Sequence, residues 1–179
     1  IEVEVIEKGS TGFLGIKSKP AIIKARKKND TVDNIREFLE NVFSAMNMEV
    51  TIDIKKAEDD KVYEVELSGK EMGLLIGKRG QTLDSLQYLT NLAVNKHSDG
   101  YIKVKLDTED YRQRRKDTLE NLAKNIAYKV KRTKRPVSLE PMNPFERRVI
   151  HSALQGDRYV ETHSEGEEPF RHVVVTLKK

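Results

Sequence analysis

The segment Gly77-Lys78-Arg79-Gly80 constrains this 179-residue chain more than any other. It stands between a short stretch with helical character, residues 70–76, and a longer one that begins at Gln81 and carries Leu83, Leu86, Leu89 or Thr90, and Ala93 on one side. Two helices joined by so few residues need a tight backbone turn, and glycine reaches positive φ without the penalty that a Cβ imposes. The second glycine also opens a helix, whose unpaired N–H groups and positive dipole end attract an anion. Lys78 and Arg79 project at the same place, so the loop suits a phosphate. A nucleotide-hydrolysing P-loop is excluded. Gly73 precedes Gly77 by four positions rather than five, and Arg79 stands where Ser or Thr would hold magnesium.

Around the loop, hydropathy sets an order of elements. A helix starts near Thr31 and places Val32, Ile35, Phe38 or Leu39, Val42 and Met46 at three- and four-residue spacing. Strands follow at residues 50–54 and 62–67 across the charged turn Glu58-Asp59-Asp60-Lys61. Then come the two helices about the glycine loop, and a strand at residues 101–106 in which Ile102, Val104 and Leu106 alternate with lysines. The order is helix, strand, strand, helix, helix, strand. Upstream, residues 2–6 and 21–25 read as strands flanking Gly9-Ser10-Thr11-Gly12-Phe13-Leu14-Gly15, a connection too long for a tight turn. Phe13 and Leu14 either tuck back onto this hairpin or form a contact surface.

Downstream, residues 109–132 read as one long helix with Leu119, Leu122, Ile126 and Val130 in line and basic side chains on its other sides. A short strand is expected near residues 137–139, among Pro136, Pro141 and Pro144. The next helix is capped by Asn143, with Pro144 in its first position and Glu146 in its first turn. Strands at residues 158–162 and 172–177 close the chain. On the helix after Asn143, Arg147 and His151 are four residues apart and share a face. Phe145, Val149, Ile150, Ala153 and Leu154 fill the other half of the wheel, which is expected to leave Arg147, Arg148 and His151 clear of the core. A guanidinium can fork onto a phosphate or stack on a base, and an imidazole can donate a hydrogen bond.

Composition narrows the function. Cysteine is absent, which removes disulfides, thiolate metal sites and thiol nucleophiles and fits a cytoplasmic location. His97, His151, His163 and His172 show no metal-binding spacing, and no Ser, His and Asp order suggests a hydrolase. Neither catalysis nor a metal or cofactor is expected. No apolar run approaches the roughly 18 residues of a spanning helix, so no membrane insertion is expected. The net charge of +4 is unevenly placed: residues 100–136 hold 12 basic and 5 acidic side chains. Arg112, Arg114, Arg115 and Lys116, with Lys131, Arg132, Lys134 and Arg135, can form a track for a polyanion between the two candidate sites. The chain opens at Ile1 without a methionine, which points to a start further upstream.

The element order with the glycine loop between its second and third helical segments resembles the type II KH domain, in which such a loop clamps about four nucleotides of backbone. That resemblance implies an apolar groove lined by Ile76, Leu83 and the neighbouring strand, although those side chains also suit a core. The Arg147 and His151 pair, with the long basic helix before it, resembles the Arg-x-x-x-His domain that binds single-stranded nucleic acid. A hairpin carrying Lys8-Gly9-Ser10-Thr11-Gly12-Phe13-Leu14-Gly15, then a KH domain, then an Arg-x-x-x-His domain is similar to the bacterial Jag family, also called KhpB. The expected fold is therefore α+β in three small modules. These are a partial Jag N-terminal domain at residues 1–30, a type II KH domain at 31–107 and an Arg-x-x-x-His domain at 108–179. The family's N-terminal domain is longer, which implies that an opening strand and helix are missing here.

The resemblance implies a cytoplasmic single-stranded RNA-binding regulator linked to cell elongation and envelope growth. It also implies a small single-KH protein, or a second copy of the chain, as partner, and Thr31 as the position matching a phosphorylated threonine of some members. The expected RNA contacts are Ile76, Gly77, Lys78, Arg79, Gly80, Arg112, Arg115, Arg147, Arg148 and His151. The alternative is a protein-assembly module that dimerises through KH surfaces, with nucleic acid secondary.

Overall fold

The structure, a computed structural model, describes residues 2–8, 20–26, 30–96, 98 and 100–178. Its elements run β1 (Glu2–Glu7), β2 (Ile22–Arg26), α1 (Thr31–Ala45), β3 (Val50–Lys56), β4 (Val62–Gly69), α2 (Met72–Ile76), a 3-10 turn (Lys78–Gly80), α3 (Gln81–Asn95), β5 (Lys103–Asp107), α4 (Tyr111–Thr133), β6 (Val137–Ser138), α5 (Pro144–Leu154), β7 (Val160–Glu165) and β8 (His172–Leu177). Among the described residues the strands form a two-stranded sheet, β1-β2, and two three-stranded sheets ordered β3-β4-β5 and β6-β8-β7. The chain divides into two compact units, Ile1–Val65 with Leu86–Lys105, and Glu66–Ser85 with Leu106–Lys179.

In the first unit β1 and β2 pair antiparallel, with Val5 opposite Ile23. The connection that holds Phe13 and Leu14 lies outside the described residues. Helix α1 starts where Asp30 accepts from the Thr31 amide at 2.6 Å, so its cap falls one residue before Thr31. Its buried face is Ile35, Leu39 and Phe43, one residue per turn. The part of α3 in this unit buries Leu86, Thr90 and Val94 while Leu89 is exposed. Thr90 rather than Leu89 is inside because its hydroxyl donates to the Leu86 carbonyl at 2.8 Å, which leaves no unpaired donor in the core. One turn apart, Asn91 and Asn95 each clamp the backbone at the edge of the sheet. The Asn91 amide donates to the Val104 carbonyl and accepts from the Val104 N–H, both at 2.8 Å. Asn95 does the same with Ile102, at 2.7 Å for each bond. Two side chains thus supply the pairing that a further strand would give and protect an edge strand.

In the second unit Leu67, Met72, Leu75, Leu83 and Leu106 are buried. Its larger core joins Leu119, Ala123, Ala127 and Val130 of α4 to Val149, Ile150 and Leu154 of α5 and to Val160, Val173 and Val175 of the sheet. Helix α5 begins with a reciprocal capping box: Asn143 accepts from the Glu146 amide at 2.9 Å and Glu146 accepts from the Asn143 amide at 3.2 Å. Strand β7 starts at Val160, two residues later than the sequence suggests, because the Asp157 carboxylate captures the amides of Tyr159 and Val160 in a turn. It pairs antiparallel with β8, with Thr162 opposite Val175 and Ser164 opposite Val173.

Candidate nucleic-acid interface

The glycine loop belongs to the second unit, in which the 3-10 turn touches α4. Gly77 has φ of 66°, and a Cβ there would stand 2.0 Å from the Thr82 hydroxyl oxygen. Gly80 has φ of 80°, and a Cβ there would meet the Tyr111 ring at 2.7 Å. Backbone conformation and lack of space therefore both require glycine at each end. Between them Arg79 is itself left-handed, with φ of 57° and ψ of 31°.

This backbone sends the two cations different ways. Lys78 is exposed and has no side-chain partner among the described residues. Arg79 turns back, and its guanidinium bonds the Glu140 carboxylate and the Pro141 carbonyl, in the segment before α5. Ile76 is half-buried, whereas Leu83 is fully buried and belongs to the core rather than to an open groove. The exposed apolar side chain beside the loop is Leu74, 63 % accessible.

The basic residues of α4 and α5 are also divided. Arg112 donates to Asp84 at 2.8 Å and to the Leu106 carbonyl at 3.0 Å. Arg115 forks onto one oxygen of the buried Glu146, at 2.8 and 2.6 Å. Arg147 is buried, not clear of the core. Its guanidinium donates to the Met142 carbonyl at 2.7 Å and to Glu168 at 2.6 Å, which satisfies a charge that would be costly to bury alone. His151 is half-buried, with Nδ1 2.7 Å from the Thr162 hydroxyl and Nε2 2.9 Å from the Ser164 hydroxyl. Burial first, then the charges of Arg147 and His163, hold its pKa below the ordinary histidine value. Arg148 is exposed, and no described residue pairs with its side chain.

Two cations, Lys78 and Arg148, thus stand ready for an anion, while Arg79, Arg112, Arg115 and Arg147 are held by carboxylates and carbonyls. Sequence reading missed Glu140, Glu168 and Tyr111, because contacts over tens of residues leave no local pattern. Leu74 was hidden for another reason: a five-residue helix is too short for periodicity to tell its outward leucine from its inward one.

Family models match three stretches of the chain: Jag N-terminus at residues 1–27, the KH domain of KhpA/KhpB at 33–106 and the Arg-x-x-x-His domain at 117–177. The chain is 68 % identical over 176 residues to the RNA-binding protein KhpB of Clostridium symbiosum, covering 98 % of this chain and 79 % of that protein. The chain belongs to the KhpB family. It is 40 % identical over 182 residues to the RNA-binding protein KhpB of Bacillus subtilis (strain 168), covering 100 % of this chain and 86 % of the relative. The KhpB protein of Lactiplantibacillus plantarum is 37 % identical over 162 residues, which cover 89 % of this chain and 50 % of that protein. The mixed α and β fold with Jag N-terminal, KH and Arg-x-x-x-His modules is the one expected from the element order. Among the described residues no helix is long and apolar enough to cross a membrane.

Proposed function

We propose that this KhpB-family chain binds single-stranded RNA and performs no chemistry on it. The observation that carries this reading is the exposed Lys78, set between two glycines that admit no side chain, at the start of the 15-residue helix α3. A phosphate can approach the backbone closely there and meet free N–H groups and one unpaired ammonium. Two relatives that match nearly the whole chain carry RNA-binding names, and KH and Arg-x-x-x-His modules accord with the reading. Arg148 extends the contact along α5. Arg79 can join only by leaving Glu140. Arg112, Arg115, Arg147 and His151 then act by holding the surface in shape. We place the modules at residues 1–30, 31–107 and 108–179, and the protein in the cytoplasm as a post-transcriptional regulator of cell elongation and envelope growth.

Replacing Lys78 and Arg79 by Asp and measuring anisotropy with a short labelled single-stranded RNA tests the reading. Binding falls at least tenfold, and the logarithmic dependence on salt becomes shallower by about one charge per lost phosphate contact. Unchanged binding refutes it.

A second reading has an observation of its own. Tyr88, Leu89 and Leu92 of α3 are 68, 49 and 59 % accessible, an apolar patch suited to a second copy or to a small KH protein. Light scattering of the wild type and of Leu92→Asp decides between a dimer lost on substitution and a monomer throughout.

A further inference from the structure

The C-terminal half of α4 and the turn before β7 carry features that neither the glycine loop nor the Arg147 and His151 pair explains. Residues 121–139 contain six basic side chains and no acidic one. Lys124, Lys129, Arg132, Lys134 and Arg135 have no side-chain partner among the described residues. Within this stretch Tyr128 is 67 % accessible, and it lies one turn from Lys124 and from Lys131 on the same face. Tyr159, 64 % accessible, arrives from the turn before β7, with the Lys131 ammonium 5.3 Å from its ring centroid.

A lone exposed tyrosine is ordinary. Two that flank one lysine on an acid-free basic surface are a different arrangement, and Tyr159 is held in place. Asp157 accepts from its amide at 2.9 Å and pairs with Lys131 at 2.6 Å, while the Tyr159 carbonyl accepts from the Lys178 amide at 2.9 Å. Lys131 covers one side of the ring and its accessibility leaves the other side open. A ring already fixed loses little freedom when a base stacks on it.

We propose that Tyr128 and Tyr159 form a second, base-stacking contact for single-stranded nucleic acid, with Lys124 and Arg132 taking the phosphates beside it. This rests on the RNA-binding reading and extends it: the strand that meets Lys78 continues over the distal end of α4. Stacking needs only a base's π face, so the contact adds affinity without choosing sequence.

The test uses the full chain and a fluorescein-labelled uridine 20-mer in anisotropy titrations at several salt concentrations. Tyr128→Ala and Tyr159→Ala each weaken binding roughly fivefold or more, as an aromatic platform should. The Tyr128→Phe/Tyr159→Phe double variant stays within twofold of wild type, and the salt dependence is unchanged because no charge is lost. If the double alanine variant binds within twofold of wild type while Lys78→Asp binds poorly, the platform is wrong and the RNA-binding reading stands. If wild type fails to bind the 20-mer, both fall. Circular dichroism of each variant separates lost contact from lost fold, and Tyr128→Ala, at a site exposed to solvent, leaves the fold unchanged.

Discussion

At the scale of single residues, the loop shows how far a sequence can be read. The need for two glycines was legible, since only glycine accepts such a turn freely. Which cation stays free was not, because Glu140 lies 61 residues from Arg79 and nothing local announces it. Glu140 is exposed, and an exposed ion pair is worth about 0.2–1 kcal/mol. Glu140→Gln should therefore release Arg79 and tighten RNA binding by up to roughly fivefold in anisotropy titrations, whereas a purely structural pair would leave affinity unchanged or weaker. His151 gives a pH prediction. Its folded pKa is depressed, so below the unfolded value near 6.5 the unfolded state takes up the proton first. The associated stability is fully present above that pH and is lost as pH falls toward the folded pKa. Asp157, also held low, matters only below the ordinary carboxylate range. Thermal melts should thus show a lower Tm at pH 5.5 than at 7.5, and His151→Gln should flatten that difference.

At the scale of elements, the amphipathic helices and the capping box of α5 were legible because period and cap chemistry are local. The start of β7 was misplaced by two residues because an Asp157 side chain takes amides that a strand would otherwise use. The Asn91 and Asn95 clamps were invisible for a related reason. On a helical wheel they look like polar surface, but they are fixed to Val104 and Ile102 across the edge of β5. Asn91→Ala leaves the Val104 N–H and carbonyl without these partners and should cost about 1–3 kcal/mol in urea unfolding. A loss under about 0.3 kcal/mol would mean that water replaces the amide.

At the scale of the whole molecule, the order of modules was legible from element order, because each module has its own hydropathy pattern. The compact units do not follow that order. The loop with its glycines clusters with α4 and α5 rather than with α1, which is what a single RNA-contacting surface requires of Lys78 and Arg148. Sequence periodicity describes elements, not which elements pack together, so this grouping had no signature in the chain. The most direct test is an NMR titration of the 15N-labelled chain with a single-stranded RNA. The account predicts that the amides of Gly77, Lys78, Gly80 and Gln81 shift together with those around Arg148, while α1 is unaffected. Shifts confined to α1 or to the exposed patch of α3, with the glycine loop silent, would contradict it.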